Sequence, residues 1–292
     1  MRFWIVSRGQ SGVLNRNKLM EKLRKSIIAG SWYPEDPSIL RGDIARYIKN
    51  VPDRELTGDV VGLIVPHAGY MYSGQVAAHA YKLIQGKKYD AVILIGPSHR
   101  VAFGGVSICS QGAYETPLGV IPVDENIACE MKRLSSIIID LPAAHAREHS
   151  LEIQLPFLQI ALGAFPFIPL VMGDQNVATC RELVDAVCQV AKDCHVLIVA
   201  SSDLSHFHDY KKAKELDGIV LRHIQDIDAE GLLDSLAHDK TEACGGGPMA
   251  VTMLAAHKLG APQSLLLKYA NSGDVTGDKS SVVGYASAVY YR

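Results

Sequence analysis

The chain contains no apolar run approaching the ~20 residues that a membrane span requires. Its opening residues hold only four consecutive apolar side chains, Phe3 to Val6, before charge returns. A secretory signal needs roughly 7–15 in a row, so a cytoplasmic location is expected. An excess of one charge is also missing: 29 basic and 31 acidic residues leave a net charge of −2, with no block of like sign. That removes the basic footprint of a nucleic-acid binder and the polybasic stripe of a membrane-surface protein. Cysteine is sparse, six in 292 residues, and no two form Cys-x-x-Cys. A disulfide scaffold, a zinc ribbon and a thioredoxin-type motif are thereby excluded. No Gly-x-Gly-x-x-Gly or P-loop follows a strand pattern, Gly245–Gly247 lacks the P-loop lysine, and there is no Gly-x-Ser-x-Gly elbow. Dinucleotide binding, nucleotide binding and ordinary serine-hydrolase chemistry therefore have no support.

What the chain does have is a 48% apolar composition and enough length to bury a large core. Without repeats, low-complexity tracts or linkers, it reads as a single domain over 29–292. Residues 1–28, with a weakly amphipathic stretch at Lys18–Ile28, read as a poorly packed lead-in. From Val60 onward short apolar runs alternate with helical patterns. Val60–Val65, Ala91–Ile95, Phe167–Val171 and Val196–Ala200 have the composition of strands buried on both faces. Further strands are expected at Val106–Cys109, Val120–Val123, Ser264–Tyr269 and Val282–Tyr290. Helices are expected at Gly74–Ile84, Glu125–Leu134, Ser150–Leu162 (strained by Pro156), Cys180–Lys192, Tyr210–Ile227 and Pro248–Leu259. The fold class this implies is α/β, with a central, mostly parallel sheet flanked by helices.

Three of the buried strands run directly into histidine: one into Pro66-His67, one into Gly96-Pro97-Ser98-His99, and one into Ser201-Ser202-Asp203-Leu204-Ser205-His206. In open α/β sheets the ligand crevice lies beyond the carboxyl ends of the strands. A single histidine there is an ordinary loop residue. Three at equivalent positions, one of them in Asp-x-x-His, point to metal binding or acid–base chemistry. Cys244 opens Cys-Gly-Gly-Gly-Pro before a helix, where a thiol is expected to have a lowered pKa. A flexible loop with an incidental cysteine fits that segment equally well. In Arg147-Glu148-His149-Ser150-Leu151-Glu152, Ser150 is a candidate N-cap with acids near the helix start. Alternatively, Glu148 and His149 support the site or act in it. The other five cysteines read as small core residues, and the remaining histidines as packing or surface residues.

Read together, several segments resemble the Memo family. They are Gly-Ser-Trp-Tyr-Pro (30–34), Val-Pro-His-Ala-Gly-Tyr-Met-Tyr-Ser-Gly (65–74), Ile-Gly-Pro-Ser-His (95–99), Glu-His-Ser-Leu-Glu-Ile-Gln-Leu-Pro-Phe-Leu (148–158), Ser-Ser-Asp-Leu-Ser-His (201–206) and Cys-Gly (244–245). Asn-Ser-Gly-Asp (271–274) and Val-Gly-Tyr-Ala (283–286) fit as well, in family order from about Ala29 to the C-terminus. The bacterial and archaeal branch is called AmmeMemoRadiSam system protein B. The resemblance implies a fold like that of LigB-type class III extradiol dioxygenases. It also implies a metal pocket of His67, His99 and Cys244, with Asp203 and His206 beside it as catalytic groups. The dioxygenases hold Fe(II) with two histidines and a glutamate, whereas here the third candidate is a thiol. Thiolate ligands suit copper and zinc and also hold iron. The function implied is a metal-dependent oxidoreductase, with iron or copper favoured and zinc the third choice. Its ligand would be a small molecule or peptide, and AMMECR-like and radical SAM proteins would be its functional associates. The alternatives are a metal-free thiol enzyme using Cys244 and His206, and a non-catalytic binding protein.

Overall fold

A computed structural model of the protein describes residues 22–292. Its framework is a nine-stranded mixed sheet built around four parallel strands: β2 (Val60–Val65), β9 (Val196–Ser201), β3 (Ala91–Pro97) and β8 (Phe167–Met172), adjacent in that order. Every residue of these four is buried. Their uninterrupted Val/Ile/Leu runs are what a strand covered on both faces requires. The parallel character expected from sequence holds at this centre. At the flanks the sheet turns antiparallel: β12 (Val282–Tyr291) lies against β2, and β11 (Gln263–Asn271) and β10 (His206–His208) lie against β12. On the other side β4 (Val106–Ile108) runs antiparallel to β8 and carries the short parallel β7 (Ile138–Ile139). A separate three-stranded sheet joins β1 (Leu23–Arg24), β5 (Ala113–Thr116) and β6 (Gly119–Pro122).

Helices start where short polar side chains can accept from free backbone N–H groups. Asp36 caps α1 (Pro37–Lys49), Asp124 caps α3 (Glu125–Leu134), Asn176 caps α6 (Val177–Val190), Asp209 caps α7 (Tyr210–Asp226) and Asp228 caps α8 (Ala229–Ala237). The remaining helices are α2 (Tyr70–Leu83), α4 (Pro142–Ala146), α5 (Leu155–Leu162), α9 (Gly246–Lys258) and α10 (Ser272–Thr276). Helices α1, α4, α8 and α10 have no counterpart in the hydrophobic pattern. None of the described helices is long and apolar enough to cross a membrane.

Three local expectations are corrected. The helix expected from Ser150 begins at Leu155 after a 3-10 turn at Glu152–Gln154, so Pro156 falls in a first turn, where it strains nothing. Ser150 instead donates its hydroxyl to the Pro97 carbonyl, and the tertiary bond prevails over the cap. The described end of the expected lead-in, residues 22–28, is packed against the domain. Leu23 and Arg24 pair with β5 and Ile28 is buried, while the rest of the lead-in lies outside the described residues. Cys180 and Cys188 are buried as expected, but Cys109 and Cys194 are only partly so and Cys129 is exposed.

His145, in α4, illustrates how the core handles a polar ring. It is 3% exposed and held between the Ser107 hydroxyl (3.0 Å) and the Tyr114 hydroxyl (2.9 Å). Burial, reinforced by the nearby Arg24 charge, lowers its pKa to about 4. Because the folded value lies below the ordinary one, acid favours the unfolded chain, which takes up the proton first. The stability tied to this ring is complete above pH 6.5 and lost between about pH 6.5 and 4, to a total of about 3 kcal/mol. Urea unfolding of His145→Gln should therefore show a shallower loss of stability from pH 7 to 4.5 than the parent protein. Parallel pH profiles for the two would contradict this.

Candidate metal centre

The three parallel strands β2, β9 and β3 are neighbours, so their carboxyl ends deliver His67, Asp203 and His99 to one edge of the sheet. His67 is 2% exposed. Its backbone N–H donates to Asp203 Oδ1 (2.7 Å), and its ring Nδ1 lies 3.1 Å from Ser201 Oγ. The Ser201 hydroxyl proton goes to the Ser150 carbonyl (2.6 Å), and the same oxygen accepts from Gln154 Nε2 (2.7 Å). Ser201 can therefore only accept from His67, which fixes the Nδ1–H tautomer and leaves the Nε2 lone pair free for other partners.

His99 is oriented in the same way. The Glu148 carboxylate accepts its Nδ1–H at 2.9 Å and its backbone N–H at 2.6 Å, together with the Ser150 N–H at 2.8 Å. Burial alone would push the Glu148 carboxyl up. The bonds from His99 and Ser150 outweigh it and hold the pKa at about 2. Glu148 is thus an anion at any working pH, and His99 presents Nε2.

His149 completes the cluster. It stacks on His99 with ring centroids 4.5 Å apart, meets His67 edge-on at 5.5 Å, and lies against Trp32 at 4.5 Å. Its buried Nδ1 has no hydrogen-bond partner. One nitrogen from each of His67, His99 and His149 lies within 4.8 Å of the other two, close enough to share one ion. Burial and the neighbouring imidazoles lower both the His67 and the His149 pKa to about 3, so both rings are neutral and able to ligate. The sequence allows His149 a supporting or catalytic role; here its ring joins His67 and His99 directly. Its direct link to Glu148 was the available signal, but an N-cap reading explained the same residues.

Cys244 sits two residues before α9, its Sγ 3.1 Å from His67 Nε2, and it accepts the Asp203 backbone N–H at 3.3 Å. The expected helix-terminus effect does not prevail. Burial, with the Asp203 charge beside it, pushes the thiol pKa well up. The turn requires Gly245, since a Cβ there would fall 2.6 Å from the Ser201 carbonyl oxygen and 2.7 Å from Ser202 Cβ. Gly96 plays the same part at the end of β3, where a Cβ would meet Ser150 Oγ at 2.4 Å.

Asp203 is buried, and desolvation raises its pKa to about 6 against the opposing bond from the His67 N–H and the His206 charge. Asp203 and His206 both line a cavity of about 670 Å³, walled largely by Trp32, Tyr33, Tyr47, Tyr70, Tyr72 and Tyr285 and edged by Arg46.

Fold and site together define a single-domain α/β protein with a histidine-rich candidate metal centre at the carboxyl edge of a parallel sheet core. The Memo-like protein model matches residues 24–289, and the chain belongs to the Memo family. It is 38% identical over 280 residues to a MEMO1 family protein of Methanopyrus kandleri, and 39% identical over 280 residues to one of Methanobrevibacter smithii. In each case 92% of this chain and 99% of the relative are covered. A MEMO1 family protein of Thermoplasma volcanium is 36% identical over 273 residues, with the same shares of the two chains covered. The fold is shared with an uncharacterized Escherichia coli K12 protein of known crystal structure. The TM-score is 0.56 at 14% identity, and 79% of this chain and all of that chain are covered.

Proposed function

We propose that this protein is a cytoplasmic, metal-dependent oxidoreductase whose ion is held by His67 and His99, with Cys244 and His149 as the further donors. The observation that carries the reading is the pair of fixed tautomers. Ser201 and Glu148 each tie up an Nδ1–H, so two imidazoles present Nε2 beside a third ring with an unsatisfied nitrogen. Histidine ligands oriented through their second nitrogen are the usual arrangement at metal sites. The mixed nitrogen and sulfur donor set suits iron or copper, with zinc also accommodated. When bound, the ion supplies Lewis acidity and, if iron or copper, electron transfer. The chain itself contributes the proton chemistry. Asp203, with its raised pKa, and His206 line the cavity together and make a natural acid–base pair for a small molecule or peptide entering among the aromatic side chains. Cys244 and His67 share a proton between Sγ and Nε2, and that proton leaves when a metal is taken up, so affinity should fall as the pH is lowered. Functional association with AMMECR-like and radical SAM proteins belongs to the same reading.

Anaerobic titration with Fe(II), Cu(I) and Zn(II), read by calorimetry, tests it. A His67→Ala, His99→Ala double variant should lose binding, while Cys244→Ser should weaken Cu(I) and Zn(II) markedly with little change in folding. His149→Ala shows how far the third ring contributes. Wild-type affinity in the double variant would reject the pocket. A wild type that binds no ion while Cys244 alkylates rapidly would replace it with the thiol-enzyme reading, against which the raised thiol pKa already counts.

A further inference from the structure

Phe207 is conspicuous on two physical grounds. Its φ is +62°, and its side chain is 76% exposed. A left-handed backbone strains a non-glycine residue, whose Cβ crowds the following carbonyl oxygen, and a largely exposed phenyl ring recovers little of that by burial. Folding alone gives no reason for this conformation. Phe207 is the extra residue of a bulge in β10: His206 faces Val283 and His208 faces Val282, so the register slips between them. Bulges beside active sites re-aim side chains, and the side chain re-aimed here is His206, which lines the cavity with Asp203.

One residue grips both ends of the bulge. Glu242 Oε2 accepts the His206 backbone N–H at 3.3 Å, and Glu242 Oε1 lies 2.8 Å from His208 Nε2. Glu242 comes two residues before Cys244, in a segment joined to the 201–206 loop by further bonds: Asp203 N–H to Cys244 Sγ, and Gly245 N–H to Ser202 Oγ at 2.9 Å. Glu242 therefore closes the outer end of a seam whose inner end is the candidate metal centre.

We propose that Glu242 is a positioning residue: through the His206 backbone and the His208 ring, its carboxylate holds β10 in the left-handed bulge that sets His206 beside Asp203 in the cavity. The significance of this rests on the acid–base role proposed for His206, but its test is independent of any ion.

The experiment is NMR of ring-15N-histidine-labelled, metal-free full-length protein, with His206 assigned by its loss in His206→Gln. Glu242→Ala should abolish the single sharp His206 ring signal as the bulge relaxes, while the buried His145 signal stays in place and reports an intact core. Glu242→Gln, which keeps an acceptor oxygen, should retain the signal. Adding Phe207→Gly to Glu242→Ala should restore it, because glycine occupies positive φ without strain. A purely structural role for Glu242 would show no such rescue. Should Glu242→Ala not fold, His208→Phe removes the ring bond alone and should broaden the same signal. An unaltered His206 signal in Glu242→Ala, or no rescue by Phe207→Gly, would overturn the assignment. Because no metal is present, neither result depends on the outcome of the metal titrations.

Discussion

Replacing Glu152 with alanine should destabilise the protein by about 3–5 kcal/mol, the range for removing one partner of a buried ion pair. Glu152 is 0% exposed, and its carboxylate is the hub of the segment from Arg24 to Tyr33. It accepts from Arg24 Nη1 (2.7 Å), Ser26 Oγ (2.6 Å), Tyr33 Oη (2.8 Å) and the backbone N–H groups of Ile27 and Ile28. Alanine takes the acceptor away from these donors and leaves a guanidinium, whose side chain is only 10% exposed, without its counter-charge. Arg24 also donates to the His145 and Glu148 carbonyls, so the damage reaches the backbone of the carboxylate that orients His99. Glu152→Gln keeps an acceptor but loses the charge and should fall between alanine and the parent. Guanidinium unfolding measures the loss. Trp32, which lies within the clamped segment and packs on His149, gives a local reading by fluorescence in a Trp4→Phe background. Its emission should change in native conditions, before the global transition. A Glu152→Ala protein within 1 kcal/mol of the parent would mean that this hub is not what holds the segment down.

The parts legible in the sequence were those fixed by local pattern. The four central strands announced themselves as unbroken apolar runs because both their faces are covered. His67, His99 and His206 were expected together because parallel strands align their ends; His67 and His99 meet there with Asp203, while the third ring of the cluster is His149 and His206 lines the adjoining cavity. The α3 boundaries, Glu125–Leu134, matched the amphipathic pattern and the Asp124 cap. What could not be read was set by partners distant in sequence. Glu148, His149, Ser150 and Glu152 look like an acidic helix start, yet their partners are His99, Trp32, Pro97 and Arg24, which come from two other segments. The Cys244 pKa failed to follow its helix terminus for the same reason. The dominant effects, burial and Asp203, arise from packing against a loop about forty residues earlier. Glu242, in a stretch without any motif, acquires its role only because β10 folds back beside it.

The second large effect expected is at Glu148. Its carboxylate is the partner that fixes the His99 tautomer, and it accepts three hydrogen bonds from a position 1% exposed. Removing it with alanine frees the His99 ring to rotate and to place its proton on either nitrogen. It also withdraws the negative charge that makes the imidazole a stronger donor. Loss of such an outer partner typically lowers metal affinity about 10–100-fold. Glu148→Ala should show a drop of that order for Fe(II), Cu(I) and Zn(II) alike, since it acts on a nitrogen ligand and not on ligand softness. Cys244→Ser should instead separate the metals, hurting Cu(I) and Zn(II) most. Glu148→Gln retains an acceptor oxygen for Nδ1–H but supplies no charge, so a smaller fall is expected. The contrast between the uniform loss and the metal-selective loss is the informative result. If Glu148→Ala leaves all three affinities unchanged while His67→Ala, His99→Ala abolishes them, His99 must be held in place by stacking on His149 rather than by its carboxylate. The His149→Ala variant, which removes that 4.5 Å contact, should then show the loss instead.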